Sequence, residues 1–290
     1  PERKERLEVI LDSIKGISQL NISFKDSPLA DLKTINLVHP QSYLDDLLSM
    51  IPISGLVGVE KEPYADTILC PQSKEAILRA CGAGIESANE LMCGLTKRFF
   101  CAVRPPGHHA ETSRANGFCF INNAAVTARY LQSKFNINKI AIIDFDVHHG
   151  NGTEDIVAGD DRILMVSFFQ HPFYPEGGAL KHDANLVNLP VPAYTKGMDI
   201  RELIEMMWIP RLEAHRPELI FISAGFDAHR EDDLGQLGLV EQDYVWMTQR
   251  IKDVAQKHAH GRIVSCLEGG YNLSAMSRSV EAHLRVLADV

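Results

Sequence analysis

The sequence predicts a single α/β domain over residues 1–290, with a central, mainly parallel sheet and helices on both faces. Three observations predict it. Short apolar runs lack the polar alternation of half-exposed strands. Amphipathic stretches of helical period lie between most of them. The reactive side chains follow the runs and do not sit inside them.

In chain order, a turn-rich segment at 52–73 precedes a helical pattern at 74–92. Residues 99–103 read as a strand, 122–133 as a helix, and 140–145 and 163–167 as strands; each run is short and rich in branched or aromatic side chains. The stretch 169–196 reads as irregular, because Pro172, Pro175, Gly177, Gly178, Pro190 and Pro192 interrupt it. A helix at 200–214, a strand at 219–223, a helix at 240–257, a strand at 263–267 and a helix at 274–288 complete the alternation. In a parallel sheet the C-terminal strand ends share one edge, where ligands bind. The clusters after 99–103, 140–145, 219–223 and 263–267 should therefore meet.

Composition sets the outer bounds. The hydrophobic fraction of 45% and charged fraction of 23% suit a large globular core, and the net charge of -9 argues against broad nucleic-acid binding. Six cysteines lie scattered with no Cys-x-x-Cys pair, which disfavours a zinc knuckle or a disulfide framework and suits a reducing compartment. With no run long enough to span a membrane and no signal-peptide core, the expectation is a cytoplasmic protein, or a nuclear one in a eukaryote.

The densest chemistry is Asp144-Phe145-Asp146-Val147-His148-His149-Gly150-Asn151-Gly152-Thr153. Read as the end of a strand, it puts Asp146 and His148 on one face, with Asp144 beside them and a tight glycine turn after. The plainer alternative is a strand-to-helix turn that only caps a helix. With Asp227 from the 224–227 cluster, Asp146 and His148 make three oxygen and nitrogen donors, leaving a position open as catalytic metals require. Zinc leads among the metals, and iron(II), cobalt or manganese also suit such a set. Alone, Asp227 reads as a turn-capping acid. His108 and His109, aimed by Pro105-Pro106-Gly107, suit proton movement better than joint ligation. Tyr271, after two glycines, could donate to a developing oxyanion or simply pack.

These blocks together resemble the zinc-dependent histone deacetylase and acetylpolyamine amidohydrolase superfamily, in its class II-like branch. The matching motifs are RPPGHH at 104–109, GFCFINN at 117–123, DFDVHHGNGT at 144–153, SAGFD at 223–227 and LEGGYNL at 267–273. The resemblance implies a three-layer arginase/deacetylase-like fold and hydrolysis of acyl-lysine amides in peptides or proteins. Asp146, His148 and Asp227 match its metal ligands, His108 and His109 its tandem histidines, and Tyr271 its carbonyl-polarising tyrosine. Asp144 matches the partner of His108, and Asn151 the neutral partner of His109. Gly117, Phe118 and Tyr174 match the tube around the lysine methylenes, and Asp66 a rim acid. The resemblance also implies a structural potassium ion held by backbone oxygens of Asp144, Asp146, His148 and Phe168 with the Ser167 hydroxyl.

Three departures accompany the resemblance. The chain begins inside a segment that the family usually precedes with another strand, so a domain lacking its N-terminal strand is expected. Glu176 stands where glycine is usual, and Leu234 where polyamine-specific relatives can carry glutamate. Leucine favours acyl-lysine over small acyl-amides such as acetylpolyamines, the first alternative substrate. A non-enzymatic acyl-lysine scaffold and an arginase-like binuclear manganese enzyme are further alternatives; the latter should carry an acid where His229 stands. Neither nucleic acid nor membrane is an expected partner.

Overall fold

Within residues 1–17, 22–59, 66–175 and 183–290, which a computed structural model describes, helices and strands alternate as the apolar pattern requires. The order is α1 (Glu5–Lys15), α2 (Leu32–Ile35), α3 (Gln41–Ser49), β1 (Val57–Gly58), β2 (Ile68–Leu69), α4 (Ser73–Met92), β3 (Arg98–Cys101), α5 (Asn123–Phe135), β4 (Ile140–Asp144) and α6 (Asn151–Val157). There follow β5 (Ile163–Gln170), β6 (Leu186–Val191), α7 (Gly197–Leu203), a π-type turn (Ile204–Trp208), α8 (Ile209–His215), β7 (Leu219–Ala224), α9 (Glu241–His258), β8 (Ile263–Leu267) and α10 (Leu273–Leu287).

Six of these strands form one parallel sheet in the order β3-β8-β7-β4-β5-β6, confirming the predicted class. Its strands are apolar on successive residues because both faces are covered. In β4, Ile140 and Ile142 point into a core with α4 and α5, whereas Ala141 and Ile143 point into another with α1, the 197–215 helices, α9 and α10. All four are fully buried. The chain leaves β4 outward to β5 and β6, then returns to the other side of β4 as β7. That reversal leaves a crevice above the C-terminal ends of β4 and β7.

Three sequence expectations change here. β4 ends at Asp144, so Asp146 and His148 are not strand residues and the two-residue alternation does not place them. Gly150-Asn151-Gly152 is no free turn, since α6 begins at Asn151. The stretch 169–196 holds β6, and β5 runs on to Gln170. Pro190 hid β6, but β6 is the edge of the sheet among the described residues, where a missing N–H is tolerated. Glu176, Gly177 and Gly178 lie outside the described residues. Four cysteines, Cys81, Cys101, Cys119 and Cys266, are buried free thiols, as a core reading of them requires. No helix among the described residues is long and apolar enough to cross a membrane.

Candidate metal centre and active site

Acid side chains fold the loop beyond β4. Asp144 Oδ1 accepts the Asp146 N–H at 3.1 Å, and Asp146 Oδ1 accepts the His148 N–H at 2.9 Å. Such local bonds replace the sheet ladder and turn the chain sharply. The turn brings His148 Nδ1 to 3.0 Å from Asp146 Oδ1 and 3.3 Å from Asp227 Oδ2. Backbone N–H groups orient the carboxylates, with Gly269 donating to Asp146 Oδ2 at 2.8 Å and Val147 to Asp227 Oδ1 at 2.9 Å. A Cβ at Gly225 would collide with the Asp146 carboxylate, and one at Gly269 with that of Asp227.

These three residues pass a test for a metal site. One ligand atom from each lies within 4.8 Å of the others. Asp227 Oδ2 is buried and makes no hydrogen bond with any described residue despite its nearness to His148. A buried carboxylate oxygen without a donor is costly, and a cation at that point would satisfy it. His229 is buried apart from this cluster, its Nε2 3.6 Å from Glu241, so the arginase-like ligand set is not assembled.

The tandem histidines stand beside this cluster. His108 Nδ1 is 3.0 Å from Asp144 Oδ2 and its Nε2 3.8 Å from Asp146 Oδ2. His109 Nδ1 is 2.8 Å from Asn151 Oδ1. Asn151 Nδ2 in turn donates to Glu111 Oε1 at 2.8 Å, which fixes the amide's orientation. An oxygen facing His109 makes Nδ1 the protonated nitrogen and leaves a lone pair on Nε2. Glu111 was not singled out in the sequence, although it follows the pair by two residues.

Charge separates the two rings. Burial opposes charge on His108, but Asp146 and Asp144 outweigh it and hold that imidazole well above its ordinary value. Burial, then the adjacent His108 and His148, push His109 well below. Burial opposes charge on His148, but the Asp146 and Asp227 carboxylates beside it outweigh this and raise it to about 10. Burial and the neighbouring Asp146 raise Asp227 to about 7.

A cavity of about 550 Å³ reaches this centre, lined in part by His109, Gly117, Phe118, His148, Tyr174 and Tyr271. Gly117 and Phe118 both have positive φ, 53° and 65°, and a Cβ at Gly117 would strike the His109 ring. Phe173 stacks on His148 with centroids 5.4 Å apart, and the Tyr174 hydroxyl donates to Asn116 Oδ1 at 2.6 Å. Exposed Asp66, Asp233 and half-buried Leu234 line the same cavity. Thr67 ties Asp66 to the tube, donating to its Oδ1 at 2.9 Å and accepting the Phe118 N–H at 3.1 Å. The Tyr271 ring lies 5.8 Å from that of Phe118, and burial holds its phenol well above the usual range, so it remains a donor.

Two further supporting residues escaped sequence reasoning. Arg6 is fully buried and donates to the backbone oxygens of Glu268 and Gly270, its guanidinium 4.9 Å from the Tyr271 ring centre. It shares the buried stripe of α1 with Ile10 and Ile14, a spacing that could have revealed it. Asp232 Oδ2 accepts the Tyr271 and Asn272 N–H groups at 2.7 and 2.9 Å, which fixes where Tyr271 leaves the loop. For the cation expectation, the β4–β5 register sets Ser167 beside Asp144 with Phe168 next along.

Known proteins share both sequence and fold. The histone deacetylase domain matches residues 1–287 of this chain. Type-2 histone deacetylase 2 of Dictyostelium discoideum is 34% identical over 99% of the chain, which spans 20% of that protein. A probable deacetylase of Archaeoglobus fulgidus is 34% identical over 94% of the chain and 77% of its own length. The histone deacetylase-like amidohydrolase of Pseudomonas aeruginosa is 31% identical over 94% and 72%. The crystal structure of the HDA15 HD domain matches with a TM-score of 0.92 at 32% identity, over all of this chain and 83% of that one. With a match from residue 1 to 287, this chain belongs to the histone deacetylase family of amidohydrolases.

Proposed function

We propose that this chain removes acetyl or other acyl groups from lysine side chains of peptides or proteins. The observation that carries the reading is a cavity ending at Asp146, His148 and Asp227, with proton-moving and hydrogen-bond-donating groups on its walls. Those three side chains would hold zinc, the family's usual metal, or iron(II). When bound, such a cation supplies Lewis acidity toward the acyl oxygen and toward water. The Tyr271 hydroxyl donates a hydrogen bond to the acyl oxygen as charge develops there. His109 Nε2, kept neutral by its surroundings, accepts a proton from the attacking water. His108, kept charged by Asp144 and Asp146, holds positive charge beside the centre, and the pair returns a proton to the departing amine. Gly117, Phe118 and Tyr174 enclose the lysine methylenes, while Asp66 grips the substrate backbone at the rim. Under the same reading, Asp144, Asp146, His148, Ser167 and Phe168 would hold a structural potassium ion.

One observation favours a second substrate. Asp66 and Asp233 both face the cavity, and two acids at a mouth suit a cationic acylpolyamine. Leu234 favours the lysine reading, because it adds apolar surface where the aliphatic chain passes. Amine release from an acetyl-lysine peptide and from acetylspermidine, with zinc and after chelation, decides between them. Zinc-dependent turnover favouring the peptide supports the proposal. Preference for acetylspermidine transfers the reading to polyamines, and turnover that survives complete chelation overturns the metal-assisted chemistry.

A further inference from the structure

Glu268 is fully buried directly after β8, and no step above uses its side chain. β8 pairs with β3, Cys266 opposite Cys101, so the loops leaving the two strands run side by side. Across that gap Glu268 Oε2 accepts two adjacent backbone N–H groups, Gly107 at 2.7 Å and His108 at 3.1 Å. The preceding Pro105 and Pro106 have no N–H, so these two bonds are the first by which the loop can donate from its backbone after the prolines. Oε1, by contrast, is buried with no partner among the described residues. An unpaired buried polar atom is costly, so an apolar side chain would fill the space at less cost. Retaining the acid makes sense if Oε2 is needed as an acceptor.

The carrier is itself fixed, since the Glu268 backbone oxygen accepts from Arg6 and the next N–H, that of Gly269, binds Asp146. The chain just after the carboxylate thus contacts a metal-ligand residue, and the peptide it holds starts the tandem histidines. We propose that Glu268 is a positioning residue: its Oε2 sets the Gly107–His108 peptide, and through it the placement of His108 and His109 over the metal ligands. The inference rests on the reading that these histidines move protons. Oε2 remains an acceptor whether or not the acid is protonated, so geometry and not charge carries the role.

The test compares Glu268→Gln, which keeps a carbonyl oxygen at the same reach, with Glu268→Asp, which keeps the acid one methylene short. Steady-state kinetics on acetyl-lysine peptide, with zinc content checked, are paired with amide hydrogen exchange of the 104–110 segment. We expect E268Q to keep kcat within about threefold. E268D should lose about 10- to 100-fold in kcat at nearly constant KM and zinc content, because a misplacement of roughly an ångström costs that much. Exchange at residues 107 and 108 should accelerate in E268D alone. Wild-type kcat and exchange in E268D would overturn the proposal, as would equal damage in E268Q. If the wild-type chain hydrolyses no acyl-lysine, the functional reading fails and exchange alone decides whether Glu268 holds the loop.

Discussion

Metal binding to Asp146, His148 and Asp227 should release protons, and the site predicts how many. His148 near 10 carries a full proton at neutral pH, and Asp227 near 7 carries about half of one. Both must leave before Nδ1 and the carboxylate can ligate. Between pH 6 and 8, His148 and Asp227 release their protons as a coupled pair, so zinc affinity should rise by about two to three decades. With ordinary values for the two groups the rise would be only about fourfold. The sign is fixed, since protons compete with metal and affinity grows with pH. Competition against a chromophoric chelator at several pH values measures the slope. Calorimetry in buffers of different ionisation enthalpy counts the protons, expected at about one and a half at pH 7. A slope near the fourfold case would mean that His148 is neutral in the free site, and that its contacts with the two carboxylates do not retain the proton.

Other outcomes follow from the same geometry. Tyr271→Phe should lower kcat by about 10²–10³-fold with zinc affinity unchanged, as loss of one oxyanion donor does; wild-type turnover would remove the phenol from the mechanism. Asp227→Ala should abolish zinc-dependent stabilisation, read as loss of the Tm shift on zinc addition. Acid should destabilise the fold through His283 and His39, which burial holds at about 3 and about 4. Their folded values lie below the unfolded one, so their contribution is intact above about pH 6.5 and falls as protons bind the unfolded chain. From pH 7.5 to 5 each should cost about 2 kcal/mol in denaturant titrations, and His283→Asn should remove its share.

Most of the sheet was legible because both its faces are covered. Runs such as Ile140-Ala141-Ile142-Ile143 are apolar on successive residues, and every expected strand end fell within three residues of the observed one. β6 escaped because Pro190 reads as a breaker until the strand is known to lie at an edge. α1 and α3 escaped for another reason. Each is short, and α1 carries a fully buried arginine among the apolar positions of its inner stripe. Arg6 continues the inward spacing of Ile10 and Ile14, but a charged side chain reads as inward only once its partners, backbone oxygens more than 260 residues away, are known.

The site shows why a right set of residues can be reached by a wrong local argument. Strand alternation was expected to place Asp146 beside His148, yet the strand stops at Asp144. What places them is a relay in which Asp144 accepts the Asp146 N–H and Asp146 accepts that of His148. Each bond spans two residues, the period of a strand, so the relay mimics alternation while bending the chain off the sheet. The same relay leaves Asp144 Oδ2 free of the backbone and turned to His108, so one acid both shapes the ligand loop and charges the neighbouring imidazole. Asn151 works differently: its amide is oriented by Glu111, and only then does it fix the tautomer of His109. Aspartate at 151 would face the Glu111 carboxylate across that bond, an unfavourable pair at such distance. The neutral residue is thus coupled to its acidic neighbour, and reading either position without the other misses why His109 is paired with an amide and not a carboxylate.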